Sequence, residues 1–220
     1  MRARPERVTA SAGAAALVLG AVGMAFERAG PSLASAPAEE LTSWAAAHHR
    51  ELTAQSAAYL VGTAPQLVFF AGLRRCLRSS ARPGPSAAAL GAAVVGGGAA
   101  WVLTNAAGQA LQVSMARAAS SGSPPTVVAG RAATMRRVLT RGNAALAPAL
   151  AATAVTSLRD GALPTWLGWL SAGTAVAHVA PLATGRRDGG VVEVVPYPLL
   201  VAWMVGVTVV LGRRARAVTG

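Results

Sequence analysis

From Pro83 to Ala116 the chain carries no charged side chain, and this run limits the available folds more than any other feature. A helix rises about 1.5 Å per residue, so roughly 20 apolar residues cross a hydrocarbon core of about 30 Å. Lipid offers no partner for a free N–H or C=O, and a helix pairs these groups within itself. The run therefore predicts a membrane crossing over Ser86 to Gly108, with polar turns beyond it.

Five more segments have the same character: Val8 to Phe26, Leu52 to Leu73, Gly142 to Leu158, Leu163 to Ala183 and Val194 to Gly212. The Gly142 segment is the shortest and is rich in Ala. With 53% hydrophobic and 13% charged residues and a mean hydropathy of +0.46, the chain is too apolar for an ordinary soluble domain. The expected fold is all-α: one multi-pass domain over residues 1–220, an integral membrane bundle of six transmembrane helices.

The formal charge of +12 comes entirely from Arg, since the chain has no Lys. The arginines lie in short blocks between the uncharged runs and not along one polar face, so nucleic acid is not expected as a partner. Such blocks instead orient the bundle, because basic residues gather on the cytoplasmic side. Arg2, Arg4 and Arg7 precede the first run; Arg74, Arg75, Arg78 and Arg82 follow the second; Arg213, Arg214 and Arg216 follow the sixth. All three clusters fall inside if both termini are cytoplasmic.

One loop runs against this rule. Arg117, Arg131, Arg136, Arg137 and Arg141 would lie outside. Residues 126–141 can form a helix with Val128, Ala132, Met135 and Leu139 on one face, and a helix of that pattern is expected to lie in the headgroup plane. The N-terminus has the look of a signal peptide, with "ASA" at Ala34 to Ala36, but Pro37 after it and Glu27 and Arg28 before it argue against cleavage.

Lysine chemistry is excluded outright, including Schiff bases, pyridoxal phosphate and a P-loop. The single Cys76 allows no internal disulfide. No nucleophile elbow, HExxH or CxxC pair occurs, and the eight acidic residues sit almost entirely in loops. His48, His49 and Glu51 are close in sequence, yet adjacent histidines on a helix point apart, so a solvated face is expected and no metal. No catalytic residue and no cofactor are predicted.

The polar residues within the spans are the remaining candidates. Ser171, Thr174 and His178 are spaced by three and four and share a helix face, as do Asn105, Gln109 and Gln112. Counting along the helices puts His178 in the outer half and Asn105 near the outer edge. A charged imidazole would be costly there, so His178 is expected to be neutral and hydrogen-bonded. Tyr59, Asn143 and Tyr197 also fall toward the exterior. A polar pocket opening outward is predicted from Tyr59, Asn105, Gln109, Asn143, Ser171, Thr174, His178 and Tyr197. Trp166 and Trp169 are expected to anchor the cytoplasmic interface, and Ala12, Ala16 and Gly20 to form a small-residue packing stripe.

The stretch Ala147 to Val176, "ALAPALAATAVTSLRDGALPTWLGWLSAGTAV", resembles an uncharacterised family of bacterial six-span membrane proteins, a domain of unknown function. In that family a span ends in a short basic turn, and Leu-Pro-x-Trp-Leu-Gly-Trp opens the next. Leu163, Pro164, Trp166, Leu167, Gly168 and Trp169 carry the match. The resemblance covers about a third of the chain. It implies a helical bundle in a bacterial cell membrane and brings no catalytic residue. The resulting expectation is a non-catalytic membrane protein, partnered by the lipid bilayer, that binds a small molecule, lipid or protein. The alternative is a small transporter or proton-coupled permease using His178.

Overall fold

A computed structural model describes residues 3–33, 35–80, 84–184 and 195–217. Arg2, Ala34, Arg82 and Val194 fall outside the described residues. All regular structure among the described residues is helical: α1 (Ala3–Ala25), α2 (Ala38–Ala47), α3 (His49–Ser80), α4 (Pro85–Ser120), α5 (Pro125–Ala145), α6 (Ala147–Asp160), α7 (Thr165–Thr184) and α8 (Pro196–Ala217). Four of these, α1, α3, α4 and α8, are long and apolar enough to cross a membrane. Helix α6 has 14 residues, about 21 Å of rise. Helix α7 has the length, but His178, Pro181 and its hydroxyls lower its apolarity.

Neighbouring helices run antiparallel. Thr9 of α1 meets Cys76 of α3, while Gly23 at the other end of α1 lies beside Tyr59. Between α3 and α4, Gln112 reaches Leu52 and Gly98 faces Phe70. Trp203 of α8 bonds Ser171 of α7, and Gly206 packs on Leu167. Helix α8 closes the ring on α1, with Thr208 against Gly13 and Gly212 beside Ala10. The first and last helices therefore place their outer ends, near Ala3 and Ala217, at the same end of the bundle.

Helices α5 and α6 together form one bent rod along α4. The pairs Arg131 with Ser114, Leu139 with Gly108, Gly142 with Thr104 and Ala149 with Gly97 keep one register through both helices. The rod breaks at Leu146, because Pro148 has no N–H to offer the carbonyl of Ala144. Pro65 and Pro181, by contrast, lie within unbroken helices. The segment expected to cross over 142–158 is thus the foot of α5 and most of α6. The helix expected over 126–141 runs longer, and it is packed: Val128, Ala132 and Met135 are buried.

Helix α4 spans 36 residues, about 54 Å, far more than a hydrocarbon core requires. Its second half carries a cap. Leu41 and Ala45 of α2, Leu52 of α3, Met115, Ala116 and Ala119 of α4, and Val128 and Ala132 of α5 form a separate small core there. The larger core fills the opposite part of the molecule and centres on four aromatic rings. Phe70 stacks on Trp203 at 6.3 Å and meets Trp101 edge-on at 6.2 Å, and Phe69 meets Trp203 edge-on at 5.9 Å.

Glycine sets two of these approaches. A Cβ at Gly98 would overlap the Phe70 ring, and one at Gly13 would overlap the Thr208 hydroxyl and crowd Phe69. Ala16 is buried on the same face of α1, whereas Gly20 has no neighbour where its Cβ would be. Of the expected stripe, Ala16 is buried and Ala12 packs partly buried against the larger core, Gly20 has no such neighbour, and Gly13 adds the closest approach. The small residues alone did not reveal that α1 must fit both Phe69 and Thr208.

Candidate functional site

Buried hydroxyls in this bundle bond mostly to their own helix. Thr9, Thr104, Thr153, Thr156, Ser171 and Thr174 each donate to the carbonyl four residues earlier. Such a bond lets a polar side chain sit among apolar neighbours without a partner helix. The Asn105 amide follows the same pattern, donating from Nδ2 to the Trp101 carbonyl at 3.0 Å.

His178 follows it too. Its Nδ1 lies 2.8 Å from the carbonyl oxygen of Thr174. A carbonyl only accepts, so Nδ1 carries the hydrogen and a neutral ring keeps its lone pair on Nε2. The residue is 2% exposed, and Ser171 and Thr174 below it are fully buried. These three do lie on one buried face, but their side chains do not bond one another. Ser171 instead accepts a hydrogen bond from the Trp203 indole at 2.8 Å, tying α7 to α8. Trp203 did not stand out in the sequence, because its partner lies 32 residues away.

Three other candidates meet at the opposite end from the arginine clusters of α3 and α8. The Asn143 amide donates to the Tyr197 hydroxyl at 3.2 Å, joining α5 to α8. Tyr59 of α3 is within electrostatic range of Tyr197 and of Glu27. The α7–α8 register brings Tyr197 level with the His178 turn. The Oδ1 atom of Asn143 is buried and accepts no hydrogen bond from the chain, and the same is true of Oε1 of Gln109. This polar layer therefore offers acceptors.

Gln112 belongs to the cap. Its amide donates to Gln55 Oε1 at 2.7 Å and to the Leu52 carbonyl, which fastens α4 to α3. Gln55 was not singled out in the sequence, although its spacing to Leu52 placed it on the same face. Arg131 donates to the Ser114 carbonyl, so one arginine of the 117–141 segment holds α5 to α4. Trp166 and Trp169 are exposed on α7, at 54% and 67%.

At the arginine end, Gly161 closes α6 in the left-handed conformation, with φ of 69°. Asp160 is almost fully buried there, with Arg159 Nε 3.5 Å from its carboxylate. Arg214 donates to the Ala162 carbonyl at 2.7 Å, so the foot of α8 grips the α6–α7 turn.

No group of three or more His, Cys, Asp or Glu side chains able to hold a metal occurs among the described residues. Compared with protein-family models, with curated proteins and with solved structures, the chain matches none.

Proposed function

We propose that this chain is a multi-pass membrane protein of six crossings, both termini cytoplasmic, which binds a small molecule, lipid or protein partner at its outer face and catalyses no reaction. Helices α1, α3, α4, α5–α6, α7 and α8 supply the crossings, with α2 and the upper halves of α4 and α5 forming an exterior cap. In favour are the antiparallel order of the helices, the arginine clusters of α3 and α8 at the end that would face the cytoplasm, against the Arg117–Arg141 group at the other, and the exposed Trp166 and Trp169 near that end.

The observation that carries the binding reading is the contrast between α7 and the Asn143–Tyr197 junction. The hydroxyls of α7 are consumed by their own backbone, whereas the junction joins α5 to α8 through side chains and keeps a free acceptor. It suits a ligand that donates hydrogen bonds, such as an amine, amide or polyol. A thermal-shift screen of detergent-purified protein against those three classes tests it. A stabilising compound is expected, its effect lost in both Asn143→Ala and Tyr197→Phe; stabilisation that survives both changes removes the junction as the site.

One observation favours a second reading, a proton-coupled permease: a buried imidazole, with its hydrogen on Nδ1, level with the polar layer. Solute or proton flux into proteoliposomes, compared with His178→Ala, decides it. Flux unchanged by the substitution eliminates His178 as the titrating group.

A further inference from the structure

The arginine end of the bundle is nearly all cation. Arg74, Arg75, Arg78, Arg159, Arg213 and Arg214 gather there, and Glu6 and Asp160 are the described acids beside them. Asp160 is taken by Arg159, and Arg214 by the Ala162 carbonyl. Among the described residues, Arg74 and Arg78 have no hydrogen-bond or ion-pair partner.

These two side chains are nevertheless held in place. They leave α3 one turn apart and lie across α4 at Gly91, where the Arg78 Cδ and the Arg74 Nε come within 3.3 and 3.4 Å of the position a Cβ would take. Beside them is a shallow groove where Ala87 and Leu90 are partly exposed over the buried Leu77, Val94 and Thr156. The Thr156 hydroxyl is spent on the Ala152 carbonyl, and the other neighbours of Arg78 there are apolar. The site thus sets guanidinium groups beside an apolar groove between α3, α4 and α6.

We infer that this groove seats an anionic phospholipid, its phosphate on Arg74 and Arg78 and the start of an acyl chain against Ala87 and Leu90. A guanidinium presents planar paired donors that match phosphate oxygens. A soluble anion would use the arginines and leave the apolar wall bare; a phospholipid uses both. Gly91 is the positioning residue, because its missing side chain lets the arginine stems approach α4. The inference rests on the bilayer reading of the helices.

Native mass spectrometry of the full chain, extracted in detergent and delipidated, tests it with phosphatidylglycerol, phosphatidylcholine and inorganic phosphate as probes. Phosphatidylglycerol is expected to bind in preference to phosphatidylcholine, and phosphate at equal concentration to leave it bound. Each arginine near a charged surface contributes about fivefold, so Arg74→Gln with Arg78→Gln should reduce the preference ~25-fold. Exposed Arg78 changed alone to Gln leaves the fold intact and should reduce it ~5-fold. The pair Arg117→Gln with Arg137→Gln, at the other end, removes the same charge and should change nothing.

Equal retention of the two lipids, an equal loss in the Arg117/Arg137 pair, or displacement of the lipid by phosphate each overturns the inference. A chain that stays monodisperse without detergent would instead overturn the bilayer reading itself, and that is seen at purification before any lipid is added.

Discussion

The two hydrophobic cores are built differently. The cap core is small and made of Ala, Leu, Val and Met from four helices, and its outer faces carry Arg50, Glu39, Glu40, Arg117 and Arg137. The larger core has the aromatic quartet at its centre, and its helices expose Val18, Val61, Leu103, Val176 and Val201. A cap in water is held by the transfer of apolar surface out of solvent. Helices in lipid gain nothing from that transfer and rely on shape, close backbones and hydrogen bonds. The aromatic core has its close approaches at Gly13 and Gly98 and an indole–hydroxyl bond, whereas the cap core is mostly Ala, with one close glycine, Gly30 on Trp44, and one amide bond between helices, Gln112 to Gln55.

If that contrast is correct, the largest effect should follow overpacking in the aromatic core. Gly98→Leu should cost ~3 kcal/mol, because the new side chain overlaps the Phe70 ring and neither helix can retreat. The midpoint of thermal unfolding in detergent reads this, and an unchanged midpoint would mean that Gly98 does not set the α3–α4 approach.

Next comes the cap. Met115→Ala leaves a cavity at a fully buried position and should weaken the cap by about 2–3 kcal/mol. Hydrogen exchange should accelerate in α2 and α5 and stay unchanged in α8; acceleration everywhere would make the two cores one cooperative unit.

Ser171→Ala strands the Trp203 N–H in an apolar setting and should cost ~1–2 kcal/mol, again read as a lower midpoint. Smallest is Asn143→Ala, which breaks a bond at the rim and should move stability by no more than about 0.5 kcal/mol. A large loss there would make the Asn143–Tyr197 junction structural.

Uncharged runs made the helices legible in the sequence, since the expulsion of charge from lipid operates residue by residue and needs no knowledge of neighbours. The cap was not legible. Residues 109–120 read as a helix emerging into water, yet they remain helical to Ser120 because Met115 and Ala116 find α2 and α5. Helix α5 showed its apolar face in Val128, Ala132 and Met135, but the same pattern suits a lipid surface as well as a helix partner. For the polar candidates, spacing gave the shared face of Ser171, Thr174 and His178. It could not say that each would turn back to its own backbone, nor that Asn143 and Tyr197, 54 residues apart, would meet.

The missing amide of Pro148 has a mechanical consequence. Helices α3 and α4 run without a break from cap to base, whereas the rod beside them is jointed at Leu146. The cap is thus tied to the base by two unbroken helices on one side and by a jointed one on the other.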